Sequence, residues 1–281
     1  MSLTKKQNFF KNTAVVSVFT MISRIFGYIR DAAIFIFISN STGALDAFFV
    51  AFRIPNFFRR IFGEGALSTA YVPVLSDYKN NSEGKDVKEF INASITYLSI
   101  ILLVISIIGV AITPILIYFI APGFVNAESG QYELSYNLLR ITFPYMFFIC
   151  LTAVSSSILN CYEKFSIPAF TPAILNIILI LSVLFFSESF IEPVYALAWG
   201  LIFAGIVQLI FVLYPLIKMG LFPKINFNKN HPGIKKIKEL MIPVIFGSSV
   251  TQVNLIFDTI IASFLITGSI SWLYMSDRFI E

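Results

Sequence analysis

Apolar residues fill the chain in long runs, and the polar interruptions between them set its organisation. A membrane-spanning helix needs about 20 predominantly apolar residues. Runs of that kind predict spans over Thr13–Ser39, Phe90–Ile120, Tyr132–Leu159, Ile167–Phe186, Tyr195–Ile217 and Leu240–Ile266. Between the first two of these lies a broken span from Ala44 to Leu75, interrupted by Pro55, Gly63, Gly65 and Pro73. Proline removes an intrahelical hydrogen bond, and broken helices are tolerated at membrane depth where they line a cavity. Polar or turn-rich links fall at Lys79–Asp86, Ala121–Gln131, Asn160–Ser166, Ser187–Pro193 and Thr267–Ser269, with a basic connector over Lys218–Lys238. An eighth segment starts at Ile270 and reaches Glu281, too short to span. The pattern therefore predicts an all-α polytopic membrane protein with seven spans and part of an eighth.

Composition agrees. The 281 residues are 57% hydrophobic and only 13% charged, with a mean hydropathy of +0.82, whereas soluble domains carry about 25% charged residues. Two cysteines, Cys150 and Cys161, are too few for a disulfide framework or a metal site, and His231 beside Pro232 and Gly233 reads as loop. The N-terminal apolar run is interrupted by Arg24 and Arg30 and lacks a small-residue cleavage site, so it reads as a first span and not as a signal peptide. There is no metal-ligand spacing, Walker loop or nucleophile–base constellation; Gly63-Glu64-Gly65 is a helix break. Neither an enzyme, a cofactor nor a nucleic-acid partner is expected.

Charge changes the picture most. Every lysine falls in the N-terminal tail or in the links after the second, fourth and sixth spans, while Glu128, Glu188 and Glu192 occupy the alternate links. That asymmetry predicts a cytoplasmic N-terminus and a multi-pass protein of the cytoplasmic (inner) membrane. The arginines behave differently: Arg24, Arg30, Arg53, Arg59, Arg60, Arg140 and Arg278 all lie within the predicted segments. An ionisable group at bilayer depth costs about 2.5–3.5 kcal/mol on insertion scales, so such residues face a polar cavity by default. Arginine stays charged and offers a planar fork of donors suited to phosphate oxygens. Their excess over acids in the first two spans favours an anionic cargo. Blander readings compete: structural ion pairs for Arg30 with Asp31 and for Arg60 with Glu64, snorkelling to an interface for Arg53 and Arg60, and an interfacial anchor for Arg140. Asp258, near Gln252 and Asn254, is either a cation site or a hydrogen-bonded packing residue. Arg24 and Arg30 are about 240° out of step on a straight helix, so a shared target requires a bend, for which Gly27 is the candidate. A weak internal similarity relates Asp31 and its following residues to Asp258 and its own, and Arg53 to Arg278.

Five stretches carry a family resemblance: SRIFGYIRDA, DAFFVAFRIPNFFRRIFGEGALSTAYVPVL, ITFPY, FSIPAFTPAILN and SISWLYMSDRFIE. Together they resemble the MurJ (MviN) family of lipid II flippases in the multidrug/oligosaccharidyl-lipid/polysaccharide exporter superfamily. The resemblance implies two six-helix lobes and a final helix pair, of which this chain matches the first lobe (residues 1–232) and the start of the second (233–281). It also implies transport of undecaprenyl-pyrophosphate-linked peptidoglycan precursor, lipid II, from the inner to the outer leaflet by alternating access. The implied substrate-binding residues are Arg24, Arg30, Arg59 and Arg278, with Ser23, Asp31 and Asp46 in support; Ser276 stands where the family motif has alanine. Expected partners are lipid II, membrane lipids and cell-wall synthesis proteins. The rival readings are an exporter of another lipid-linked oligosaccharide or of drugs, and a non-transporting membrane scaffold. A cation-drug exporter would invert the excess of arginines over acids.

Overall fold

A computed structural model describes residues 3–38, 43–61, 67–82, 84–125, 127, 130–228 and 231–280. Among them run the helices α1 (Leu3–Ile38), α2 (Ala44–Phe58), α3 (Leu67–Asn81), α4 (Gly84–Ala111), α5 (Thr113–Ile120), α6 (Gln131–Thr142), α7 (Tyr145–Cys161), α8 (Ser166–Phe186), α9 (Val194–Lys218), α10 (Pro232–Ala262) and α11 (Ser269–Ile280). No strand occurs among the described residues.

The boundaries follow the breakers. α1 contains no proline and runs unbroken for 36 residues. The interrupted second span resolves into α2 and α3, and α2 ends in a π-helical turn at 59–61. Gly63, Glu64 and Gly65 lie outside the described residues, as do Glu128 and the expected Arg60–Glu64 pair. The third span is α4 continued by α5, which opens at Thr113 with Pro114 in its first turn, where a missing N–H costs nothing. The fourth is α6 and α7, parted at Phe143 and Pro144. The basic connector is shorter than expected, because α10 begins at Pro232, six residues before Lys238. Proline at the first helical position pre-sets φ, and His231 Nδ1 accepts from the Gly233 N–H at 3.2 Å, so the helix starts early.

Among the described residues, five segments are long and apolar enough to cross a membrane: Gly84–Ala111, Gln131–Cys161, Ser166–Ser189, Val194–Lys218 and Pro232–Ala262. α1 has the length but is broken in composition by Arg24, Arg30 and Asp31, and α2 and α3 have only 15 residues each. None of these three is among the five segments, and α1 carries Arg24 and Arg30 while α2 carries Arg53.

α8 stands between α1 and α9, α9 packs on α7, and α2 lies against α6. In lipid, apolar burial gives little drive for helix association; close packing by small residues does. Accordingly a Cβ at Gly200 would lie 2.3 Å from Ser182 Oγ, and one at Gly205 would lie 2.9 Å from the Tyr145 ring. Ala47, Val50 and Ala51 of α2 are fully buried against Leu138, Leu139 and Met146. The outer side of α4 presents Ile100, Ile107 and Ile108, as expected for a lipid-facing helix.

A candidate anion-binding cavity

α1, α2, α8, α10 and α11 border a cavity of about 760 Å³. Among the described residues its wall carries Arg24, Arg30, Arg53, Arg59, Arg60 and Arg278 against one carboxylate, Asp277. Helical spacing explains the convergence. Arg53, Asn56 and Arg59 recur every three residues along α2, and the π-helical turn adds Arg60. Tyr274 and Arg278 are one turn apart on α11.

Arg30 organises the wall. Its Nε donates to Asp31 Oδ1 at 2.8 Å, its Nη1 to Asn176 Oδ1 at 2.9 Å, and its Nη2 to the Tyr274 hydroxyl at 3.1 Å and to Asp31 Oδ1. Arginine has five N–H donors, so most of its capacity is engaged. The other Asp31 oxygen accepts from Arg278 Nε at 3.1 Å. Asn176 Nδ2 donates to the Ser23 carbonyl at 3.0 Å. Arg30 and Asp31 are 7% and 3% exposed. A buried charge is tolerable only when paired and hydrogen-bonded, and this network meets both conditions. It also ties α1 to α8 and α11. Tyr274 is held in turn by stacking on Phe49, with ring centroids 4.0 Å apart.

The structure brings Arg24, Arg30, Arg59 and Arg278 together with Ser23 on one cavity wall. α1 passes through Gly27 without a break. Arg24 is exposed and Arg30 buried, and both line the cavity from an unbroken helix. Gly27 instead makes room for a neighbour: a Cβ there would sit 3.1 Å from Arg278 Nη2. Arg53 and Arg60, for which an interfacial position competed, also line the cavity, and Arg53 Nε donates to Thr259 Oγ1 at 2.8 Å. Arg59 Nε donates to Asn56 Oδ1 at 3.0 Å. Arg140 does not reach the cavity; it donates to Thr113 Oγ1 and lies over the Tyr136 ring.

Two acids stand apart. Asp46, 2% exposed in the first turn of α2, accepts from the Gly268 N–H, from the Ser271 N–H at 2.8 Å and from the Ser271 hydroxyl. It therefore caps the start of α11 from a different helix. Asp258 is exposed and lines a separate pocket with Ser269, Trp272 and Ser276, so it parts from Gln252, which faces the arginines. Asn176, Tyr274, Thr259 and Asp277 escaped sequence reasoning. The available signal was a lone asparagine in the apolar run of α8, since a polar residue at that depth needs a partner.

An anionic group at the centre of such a wall gains about 2 kcal/mol from each arginine about 8 Å away at an effective dielectric constant of about 20. Several acting together, with forked donors, suit a group with several negative oxygens. The helical fold is shared with solved membrane transporters. A MOP superfamily transporter from Pyrococcus furiosus superposes with a TM-score of 0.67 at 16% identity, over 86% of this chain and 52% of its own. An outward-facing multidrug resistance transporter of the MATE family gives 0.66 over 86% and 53%.

The chain belongs to the lipid II flippase MurJ family, whose model matches residues 37–281. The probable lipid II flippase MurJ of Buchnera aphidicola subsp. Acyrthosiphon pisum is 43% identical over 277 residues, 98% of this chain and 53% of that protein. That of Vibrio cholerae is 41% identical over 99% of this chain and 54% of its own length. Lipid II flippase MurJ of Burkholderia cenocepacia is 39% identical over 98% and 54%. The chain thus spans about half the length of the curated relatives it matches.

Proposed function

We propose that this chain supplies the cation-lined half of a lipid II flippase. The pyrophosphate and adjoining sugar of lipid II bind in the arginine cavity. The polyprenyl tail stays in the bilayer, and alternating access carries the head group from the inner to the outer leaflet. The observation that supports this most is the wall itself, with six arginines and one acid among the described lining residues, in a chain of the lipid II flippase family. Arg24, Arg59 and Arg278 are the proposed ligands. Arg30, most of whose donors are engaged by Asp31, Asn176 and Tyr274, positions the wall.

Residues 1–232 act as a first lobe, and 233–281 begin a second that contributes Arg278. The lysine distribution supports a cytoplasmic N-terminus in the inner membrane. With that orientation the Asp46–α11 contact lies on the outer side, and Gly123 N–H donates to Ser263 Oγ at 3.1 Å beside it. The arginines then lie deeper along the same helices, toward the cytoplasm.

Native mass spectrometry of the purified chain with lipid II tests the reading. A hydrogen bond to a charged group is worth about 1.5–3 kcal/mol, so Arg59→Ala and Arg278→Ala are each expected to weaken binding about tenfold or more. Binding that ignores both substitutions would dismiss the cavity as the pyrophosphate site.

A further inference from the structure

The link between α9 and α10 is an extended strap laid along α4. The Lys224 N–H donates to Asn92 Oδ1 at 2.8 Å, the Asn226 N–H to Thr96 Oγ1 at 3.0 Å, and Tyr97 donates its hydroxyl to the Phe227 carbonyl at 2.7 Å. Asn228 then returns toward the start of α4 and donates from Nδ2 to Glu89 Oε1 at 3.0 Å. The strap therefore dips and comes back. Glu89 is the last charged residue of α4, and Thr96 lies about 10 Å further along its axis at 1.5 Å per residue. At the bottom of the dip Ile225 and Phe227 point outward, 79% and 69% exposed, with Phe222 at 49%.

A strap in water has no need of such partners, because solvent satisfies its backbone. Here two backbone donors and one acceptor are bonded by an asparagine, a threonine and a tyrosine of α4, which lowers the cost of carrying this backbone toward the apolar side of an interface. The apolar tips are flanked by basic charge: Lys218–Lys238 contains lysines and no acid. Lys224 is exposed, and Lys218 Nζ lies 4.5 Å from the Tyr214 ring centroid at the end of α9.

We propose that residues 222–228 form an interfacial anchor seated in a leaflet rich in anionic phospholipid. Ile225, Phe227 and Phe222 enter the acyl boundary, and Lys224 meets headgroup phosphates. Interfacial segments seat their apolar side about 5–10 Å below the headgroups, which fits the depth of the dip. Charge complementarity selects anionic phospholipid as the occupant over a protein surface.

The test uses the full chain with Cys150→Ala and Cys161→Ser, a small fluorophore on Phe227→Cys, and vesicles of phosphatidylcholine with phosphatidylglycerol. Brominated acyl chains should quench the fluorophore and aqueous iodide should not. A second site, Ile225→Cys, should behave alike and guards against a folding defect at position 227. With bromine confined to one lipid at a time, phosphatidylglycerol should quench more than phosphatidylcholine. A basic residue near an anionic surface contributes about 1 kcal/mol, so Lys224→Gln should reduce that preference about fivefold. Quenching by iodide would place the strap in water, quenching by neither agent would place it under protein, and either result overturns the proposal. Equal quenching by both lipids overturns its choice of occupant.

Discussion

Replacing Asp46 by alanine removes the acceptor of three hydrogen bonds at the start of α11. Loss of an N-cap costs about 0.5–2 kcal/mol in a simple helix. Here the acceptor is a buried carboxylate, and a hydrogen bond to a charged group is worth about 1.5–3 kcal/mol. The helix dipole adds up to about 2 kcal/mol in partly buried geometry. These terms overlap, since all three donors share one carboxylate, so we take about 3 kcal/mol as the net loss of docking between α2 and α11. With RT near 0.59 kcal/mol, that is an increase of about 150-fold in the population with this contact open. Hydrogen exchange of the chain in lipid nanodiscs reads it directly. The Gly268 and Ser271 amides should lose about 100-fold in protection in Asp46→Ala, while amides in the middle of α7 hold theirs. Asp46→Asn keeps one oxygen acceptor without the charge and should fall between. If exchange at 268–271 is the same in Asp46→Ala as in the parent, the carboxylate does not hold α11 and the reasoning fails.

The neighbouring contact predicts a steric effect. A Cβ on Gly123 would lie 2.1 Å from the Ser263 carbonyl oxygen, which is backbone and cannot rotate away. Overpacking of this kind costs about 1–3 kcal/mol, so Gly123→Ala should lower the melting temperature of the reconstituted chain, with Gly130→Ala, whose Cβ meets nothing within 4 Å but whose φ is +68°, reporting backbone strain alone. At the opposite end, the Lys236 ammonium and the Asn81 amide hold the Asp77 carboxyl below its ordinary value of 3.8. A carboxylate whose folded pKa is depressed contributes fully above its unfolded pKa and loses that contribution as pH falls through the folded one. Spin labels at Ser82 and Lys235 should therefore report a constant separation near neutrality and a broader one under strong acid, and Asp77→Asn should abolish the pH dependence.

The architecture was legible because hydrophobic runs survive any detail of packing. Each predicted span contains a helix or a helix pair, and the splits at Thr113 and Phe143 sit beside Pro114 and Pro144, which anyone can read. The start of α10 was misplaced because lysines dominate 235–238 in any hydropathy count, while the local chemistry of His231 and Pro232 begins a helix before them. The arginine cluster was visible as charge in the wrong solvent. Its wiring was not. Arg30 meets Asn176 across 146 residues and Tyr274 across 244, and no local pattern encodes such pairings. For the same reason the neighbour of Gly27 is not readable from the local sequence. Only the position of Arg278 reveals that the missing Cβ is what admits a guanidinium. Asp46 was singled out by its motif, but its chemistry rests on the facing helix terminus, which sequence separation hides.

Both structural acids act on the same element. α11 is held near its start by Asp46 and near its end by Asp31 through Arg278, with Ser271 and Arg278 about 10 Å apart along the helix. The two contacts differ in what can compete with them. Asp46 bonds backbone amides and a hydroxyl at a site away from the arginine wall, so an anion in the cavity leaves it untouched. The Arg278 guanidinium is one-third exposed and lines the cavity, whereas Asp31 is almost wholly buried behind it. Under the function proposed above, an arriving pyrophosphate would draw on Arg278 while Asp31 keeps Arg30. Cargo would thus weaken the Arg278 hold and leave intact the Asp46 contact and the Tyr274 contacts with Arg30 and Phe49, so binding alone would not open the opposite side. On that reading, release of the Asp46 contact would be a separate step. That order would keep the cavity from opening to both sides at once, which is the condition that the proposed alternating access imposes.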